Sequence, residues 1–202
     1  MTSRPPHPVA SENDMTDDQI IALTQAWLEE AVIGLNLCPF AQVVHRNNQI
    51  AYYVSRAENE DALMEDLILA IDALLSADPA EIDTAFLIHP FVLQDFEEYN
   101  AFIGWTMDFL AESDLEVVLQ IASFHPKYQF FGTSPDDITN CTNRSPLPML
   151  HLLRESSVDA ALTALPEATQ LVEKNLATLR NLGATGWDAL NQRIHALSKL
   201  NQ

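Results

Sequence analysis

The sequence predicts an α/β fold, with a small parallel or mixed sheet of about three or more strands, flanking helices and a helical C-terminal region. Three short apolar runs, at residues 49–55, 84–88 and 116–122, have the length and composition of strands. Longer segments between them carry apolar residues at helical spacing. Strands that alternate with helices favour a sheet with crossover connections, so the second and third strands are expected to run parallel.

The first 14 residues are expected to form a disordered leader, because prolines occupy three of the first eight positions and little else there could pack. Residues 15–202 are then expected to fold as a single α/β domain. Its first helix should begin at Thr16, whose hydroxyl can cap the helix while Gln19 completes a capping box. The apolar spacing continues to Leu35, and Pro39 marks the end of the helix.

Two further helices are predicted between the strands. Residues 59–75 place five apolar side chains on one face, and Pro79 follows their end. Residues 96–112 form the other helix, for which Asp95 provides the cap and Glu98 resembles the second half of a capping box.

The chain after the third strand is predicted to be helical. Ser145 can cap a short helix that starts at Pro146 and continues through His151 to about Glu155. A helix should end near residue 165, and a further helix is expected over residues 166–182, ended by Gly183. The last predicted helix, residues 187–197, has a narrow apolar seam.

Charge and composition exclude several classes of protein. With 10 Lys and Arg against 29 Asp and Glu, the net charge is −19, so the field of the protein repels nucleic acid and anionic membranes. No apolar run approaches the roughly 18 residues that would span a bilayer. The N-terminus lacks a signal pattern, and two cysteines do not make a disulfide framework, so a cytoplasmic location is expected.

Two His-Pro pairs, His89-Pro90 and His125-Pro126, follow the second and third strands. Proline restrains the residue before it to extended backbone, so each imidazole should be held in a defined direction. Parallel strands would bring both histidines to one edge of the sheet, where ligands of such folds collect. They could act there as general acid and base or as metal ligands. The alternative is that both are turn residues whose ring nitrogens satisfy backbone carbonyls.

Arg144 is the candidate for anion binding. It precedes the predicted helix that Ser145 caps, where free backbone N–H groups also favour an anion. A guanidinium there could hold a carboxylate or phosphate through two bonds. Asn143, Ser145 and Tyr128 are the other candidate substrate-binding residues. The alternative for Arg144 is an ion pair with Asp136 or Asp137.

Cys38 and His151 are candidates to complete a catalytic pocket with His89 and His125. Three histidines (His89, His125 and His151) would suit an open zinc or iron site. No local spacing of a known metal motif supports such a site, so the sequence leaves the cofactor unknown. Cys38-Pro39 is also compatible with a haem-thiolate ligand. Buried, inert cysteine is the simpler interpretation of Cys38 and Cys141.

Four segments in order resemble bacterial proteins grouped as domain of unknown function 1415. They are residues 34–41 (GLNLCPFA), 89–91 (HPF), 124–130 (FHPKYQF) and 143–155 (NRSPLPMLHLLRE). The resemblance covers nearly the whole chain after the leader. It implies that the four segments belong to one site, but it implies no activity.

These observations lead to three hypotheses from different classes. The first is an enzyme that acts on a small anionic metabolite at the carboxyl ends of the strands through histidine chemistry. The second is a haem- or metal-binding sensor that uses Cys38 and histidines. The third is a non-catalytic protein whose acidic surface meets a basic partner. The sequence does not choose among them, and it leaves the oligomeric state open.

Overall fold

The computed structural model describes residues 15–164 and 170–200. The predicted leader and the predicted helix start at Pro166 lie outside these residues. The helices are α1 (Asp17–Trp27), α2 (Ala41–Arg46), α3 (Glu60–Ser76), α4 (Phe96–Glu112), α5 (Glu155–Ala164) and α6 (Leu171–Ser198), with a π-helical segment (Leu28–Ile33) and a 3-10 helix (Ile138–Thr142). The strands are β1 (Ile50–Val54), β2 (Thr84–Ile88), β3 (Leu119–Phe124) and β4 (Met149–Arg154).

The four strands form one mixed sheet in the order β1-β2-β4-β3. β1 is parallel to β2, whereas β4 is antiparallel to both β2 and β3. β2 and β3 therefore run in the same direction, as predicted, but β4 lies between them. Their carboxyl ends and the start of β4 meet at one edge, because Met149 is paired with both Ile88 and Phe124. The predicted fold class, with flanking helices and a helical C-terminal region, is confirmed.

Each face of the sheet is covered by helices. α3 and α4 pack on the face that carries Ala85, Leu87, Leu150 and Leu152. α1, the π-helical segment and α6 cover the opposite face. There the ring of Trp27 meets the rings of two strands edge-on, with centroids 6.2 Å from Phe86 and 5.3 Å from Phe124. No helix of the described residues is long and apolar enough to cross a membrane.

Local capping signals account for the helix starts that were predicted correctly. Thr16 and Gln19 form the full capping box of α1. Asn59 accepts a hydrogen bond from the backbone N–H of Ala62 at the start of α3. Asp95 accepts hydrogen bonds from the first backbone N–H groups of α4. These bonds satisfy donors that every helix start leaves open, so the signal can be found in a short stretch of sequence.

The prediction of a helix from Pro146 to about Glu155 is wrong, because this segment contains strand β4. The Ser145 hydroxyl donates to the carbonyl of Leu147 at 2.6 Å instead of capping a helix. β4 is paired with β2 over residues 149–153 and with β3 over residues 149–154. Those pairings join residues far apart in the chain, and they override the local helix signal.

The C-terminal region is helical, and its helices are interrupted at Gly183 as predicted. α6 extends over 28 residues, although Gly183 within it has φ 66° and ψ 172° and is not helical. The prediction that a helix ends at Gly183 is confirmed, and the second half of α6 follows directly after this kink. The first half of α6 lines one cavity and the second half lines another.

Candidate functional site

Because β2 and β3 run in the same direction, both His-Pro pairs lie at the same edge of the sheet, against the segment that leads into β4. The backbone N–H of His89 donates to the carbonyl of Pro148 at 3.0 Å. The backbone N–H of His125 donates to the carbonyl of Asn143 at 3.2 Å. Residues 143–148 are thus bound to the ends of both strands, and three of the four motif segments meet here.

The two imidazoles flank the ring of Tyr99 on the α4 side of the sheet. The ring centroid of Tyr99 lies 5.7 Å from that of His89 and 4.9 Å from that of His125. The Tyr99 hydroxyl donates to the carbonyl of Met149 and accepts from the N–H of Phe124, both at 2.9 Å. The expected proximity of the two histidines is found, but they are separated by an aromatic side chain that joins α4 to β3 and β4.

Both ring nitrogens of His125 are occupied. Nδ1 accepts from the backbone N–H of Lys127 at 3.0 Å, so the ring proton must be on Nε2, which donates to the carbonyl of Leu93 at 3.1 Å. The residue is only 1% exposed. Burial lowers the pKa of His125 to about 4, mainly because a charged ring would lose its hydration. This neutral ring links two loops and has no lone pair left for a substrate.

His89 is also held in one tautomer. Its Nδ1 donates to the carbonyl of Val92 at 3.2 Å, which leaves the lone pair on Nε2. The residue is fully buried, and no described group bonds to that Nε2 atom. Burial is the largest cause that lowers the pKa of His89 to about 4. A substrate could reach this nitrogen only if the packing around it opened.

His151 lies on the other face of the sheet, so it does not join the pair. Its ring stacks on Phe86 with centroids 4.0 Å apart. The Thr84 hydroxyl donates to the carbonyl of Leu152 at 2.6 Å, so His151 Nε2, 2.7 Å away, must donate to that hydroxyl. Burial lowers the pKa of His151 to about 3. Within residues 15–164 and 170–200, no three His, Cys, Asp or Glu side chains are grouped as metal ligands.

The two cysteines belong to the core on the α1 and α6 side. Cys38 lies in the loop after the π-helical segment, partly buried against this core, and burial raises the pKa of its thiol. Cys141 is buried in the 3-10 helix, and burial raises the pKa of its thiol to about 11, although the nearby Arg144 guanidinium acts in the opposite direction. Both are therefore held as neutral thiols at neutral pH, the form that is the poorer nucleophile.

Arg144 is fixed in place by backbone groups. Its own carbonyl accepts from the indole N–H of Trp27 at 3.0 Å. The guanidinium donates through Nε to the carbonyl of Tyr128 at 3.2 Å and through a terminal nitrogen to the carbonyl of Pro135 at 2.5 Å. No carboxylate of the described part of the chain forms an ion pair with it. The expected alternative, a pair with Asp136 or Asp137, is not formed.

A cavity of about 330 Å³ separates Arg144 from the second half of α6. One wall belongs to the loop before β4, and the other belongs to the helix. The lining residues are Pro126, Arg144, Ser145, Pro146, Trp187, Asp188, Asn191, Ile194 and His195. The sequence predicts only an apolar seam in this helix. Asp188, Asn191 and His195 were not predicted as site residues, although their spacing of three and four residues places them on one face beside that seam.

The other predicted substrate-binding residues are divided among different surroundings. Asn143 donates through its amide to the carbonyl of Ser123 at 3.0 Å and lines another cavity of about 510 Å³, near the first half of α6. The ring of Tyr128 lies between the rings of Phe96 and Phe130, at 5.2 and 5.0 Å. Of this predicted set, the Arg144 cavity contains Arg144 and Ser145.

Comparison with known proteins identifies a family but no characterised relative. The model of a family described as "Protein of unknown function (DUF1415)" matches residues 19–189. That range includes all four motif segments and most of the Arg144 cavity. No curated protein and no solved structure matches the chain.

Proposed function

The chain belongs to the DUF1415 family, and we propose that it is an enzyme that binds and transforms a small anionic metabolite in the cavity between Arg144 and α6. The observation that carries this proposal is the guanidinium of Arg144, which lines a cavity of ligand size without a carboxylate partner among the described residues. The chain has 10 Lys and Arg against 29 Asp and Glu, so a carboxylate partner would be expected for most arginines. An arginine without one beside a cavity therefore supports binding of an external anion.

The geometry of Arg144 suits a carboxylate or a phosphate. Two backbone carbonyls fix its orientation and use two of its five N–H donors. The remaining donors can form a pair of parallel bonds to two oxygens of one anionic group. Because the side chain is already ordered, a ligand would not have to supply the free energy that ordering an arginine normally costs.

The α6 wall of the cavity indicates which other polar groups the ligand has. Asp188 and Asn191 offer acceptors on α6, which favours an anion that also bears a hydroxyl or an amino group. His195 provides the imidazole of the cavity and is exposed. We propose His195, rather than His89 or His125, as the general acid or base, because its ring forms no hydrogen bond with the described residues.

The two other hypotheses have less support. A haem or metal site would need Cys38 and histidine rings to face one space, whereas His151 and the His89–His125 pair lie on opposite faces of the sheet. An interaction protein that uses its acidic surface would not require a fixed, unpaired arginine beside a cavity.

Anion binding can be tested by thermal unfolding and calorimetry with a panel of small carboxylates and phosphates. A ligand at ten times its dissociation constant should raise the free energy of unfolding by about 1.4 kcal/mol. For a chain of this size, that increase raises Tm by about 3–6 °C. Wild type and Arg46→Gln, which removes an exposed arginine of α2, should both respond, whereas Arg144→Gln should not.

Arg144→Lys keeps the charge but loses the planar pair of donors, so binding should weaken by about tenfold or more. A response of Arg144→Gln equal to that of wild type would refute the proposal, as would a panel in which no anion binds. Once an anion of the panel is found to be a substrate, His195→Asn should retain its binding and reduce its turnover by about 10²–10⁴-fold.

A further inference from the structure

The larger cavity, of about 510 Å³, lies between the 3-10 helix and the first half of α6. It is separate from the Arg144 cavity, with which it shares no lining residue. Its lining residues are Phe130, Thr133, Asp137, Thr139, Thr142, Asn143, Val172, Asn175, Leu176 and Arg180. Its volume lies within the usual range of small-molecule sites.

The threonine hydroxyls of this cavity already use their protons. Thr139 donates to Asp137 Oδ1 at 2.7 Å, and Thr142 donates to the carbonyl of Thr139 at 2.9 Å. The proton of Thr133 is shared by the carbonyl of Phe130 and by an amide oxygen, both at 2.8 Å. These hydroxyls can therefore only accept further hydrogen bonds.

The two asparagines of the cavity also present acceptors. The amide nitrogen of Asn143 donates to the carbonyl of Ser123 at 3.0 Å, and that of Asn175 donates to the carbonyl of Leu37 at 2.8 Å. A carbonyl can only accept, so these bonds fix which end of each amide is nitrogen. The Oδ1 atoms are left without a partner among the described residues, although Asn175 is only 7% exposed.

Two opposite charges line the same cavity without an ion pair between them. Asp137 caps the 3-10 helix through Oδ1, and its hydrogen bonds from Thr139 lower the pKa of its carboxyl group. Arg180 lies on α6, and among the described residues its guanidinium forms no ion pair with Asp137. The apolar part of the lining comes from Phe130, Leu176 and Val172, which is 67% exposed.

We propose that this cavity binds an amino acid with an apolar side chain, or a zwitterion of the same size. Its ammonium group would donate to Asp137 and to the asparagine and threonine oxygens, all of which accept. Its carboxylate would bind Arg180, and its apolar part would pack against Val172 and Leu176. A zwitterion matches both charges at once, which neither a simple anion nor a simple amine can do.

The test compares three molecules of nearly the same shape by calorimetry. L-leucine carries both charges, 4-methylpentanoate lacks the ammonium group, and 3-methylbutylamine lacks the carboxylate. Leucine should bind wild type about tenfold or more tightly than either analogue, since each loses a charge-assisted hydrogen bond. Similar weak binding of all three would refute the proposal, as would no heat from leucine at the highest concentration tested.

Two isosteric variants test which residue binds the ammonium group of leucine and which binds its carboxylate. Asp137→Asn can still cap the 3-10 helix and should abolish the preference for leucine over 4-methylpentanoate. Arg180→Gln should abolish the preference for leucine over 3-methylbutylamine. Arg46→Gln, which removes an exposed arginine of α2, is the matched control and should bind leucine as wild type does. If both isosteric variants kept the wild-type preferences, leucine would bind elsewhere and this site would be refuted. Anion binding at Arg144 is measured separately, so either proposal can fail alone.

Discussion

Each ring nitrogen of His125 meets a backbone group of a different loop, so the side chain joins residues 93 and 127 rather than facing a ligand. The sequence placed this histidine and His89 correctly at one edge of the sheet. The sequence left open whether the rings take part in catalysis or bind backbone carbonyls. The answer depends on loop residues such as Leu93, which are distant in the sequence and reach His125 only in the folded protein. Arg144 differs because its bonds to the carbonyls of Tyr128 and Pro135 use only two of its five N–H donors.

Buried histidines make the stability of this protein depend on pH. The pKa of His89 is lowered from 6.5 to about 4, so the unfolded state binds a proton first as the pH falls. The stabilisation is complete above pH 6.5 and is lost as the pH falls towards 4. For one such group, the free energy of unfolding should decrease by about 2 kcal/mol between pH 7 and pH 5.

His89→Asn isolates this contribution, because the asparagine amide can replace Nδ1–H as the donor to Val92 but does not titrate in this range. Urea unfolding at pH 7 and pH 5 should show a difference about 2 kcal/mol smaller than in wild type. His195→Asn, on the exposed part of α6, controls for loss of an imidazole. Equal differences in wild type and His89→Asn would contradict the assignment.

Two tyrosines offer a matched test of buried hydroxyl groups. Tyr99→Phe leaves the carbonyl of Met149 and the N–H of Phe124 without their partner, which should destabilise the fold by about 2–4 kcal/mol. The hydroxyl of Tyr52 is buried without a partner among the described residues, so Tyr52→Phe should be neutral or stabilising by about 1 kcal/mol. Chemical unfolding of both variants gives the comparison, and losses of equal size would contradict it.

At the scale of elements, local signals were sufficient for some parts of the fold and misleading for others. β2 was predicted with the same ends, and α3 and α4 were predicted nearly to the residue, because their caps and apolar spacing are local. β4 was predicted as a helix because Ser145 and Pro146 resemble a helix start. Its strand conformation depends on pairing with β2 and β3, and no short window contains that information.

The kink in α6 is a property of Gly183 that can be tested. Its φ of 66° with ψ of 172° is a conformation open almost only to glycine, so Gly183→Ala should destabilise the fold by about 1–3 kcal/mol. Gly104, in the middle of α4, has a helical conformation and free space around its Cα. Gly104→Ala should therefore stabilise by about 0.5–1 kcal/mol.

Urea unfolding of both variants measures these opposite signs. If Gly183→Ala were stabilising, α6 could be continuous at this point. Because the kink separates the halves of α6 that line the two cavities, Gly183→Ala should also weaken ligand binding in at least one of them.

At the scale of the whole molecule, one mixed sheet explains why the motif segments meet. β2 and β3 run in one direction and β4 returns between them, so three segments distant in sequence share an edge. The sequence predicted this edge as the site. It could not predict that the cavities would lie towards α6, because the loop and the helix that line them are at least 29 residues apart in the chain.

The net charge of −19 gives the last prediction. At about 0.01 M salt the Debye length is about 30 Å, longer than the radius of a domain of this size, so carboxylates repel one another across the whole molecule. At about 0.15 M salt the Debye length is about 8 Å, and only carboxylates that lie close to one another still repel. Unfolding spreads the charges, so low salt should favour the unfolded state. Raising sodium chloride between these concentrations should increase Tm by about 2–4 °C, the shift that roughly 1 kcal/mol produces.

A variant that removes exposed carboxylates provides the control for this salt effect. Glu65→Gln, Asp72→Asn and Asp108→Asn change the net charge from −19 to −16, at positions where the side chains are exposed. The combined variant should be more stable than wild type at low salt and should gain less from added salt. A Tm that falls with salt would mean that attractive ion pairs outweigh the repulsion between carboxylates.

The repulsion between like charges also acts on any anionic ligand of this protein. The orientation of Arg144 by two carbonyls, rather than the overall field, must therefore provide affinity at its cavity.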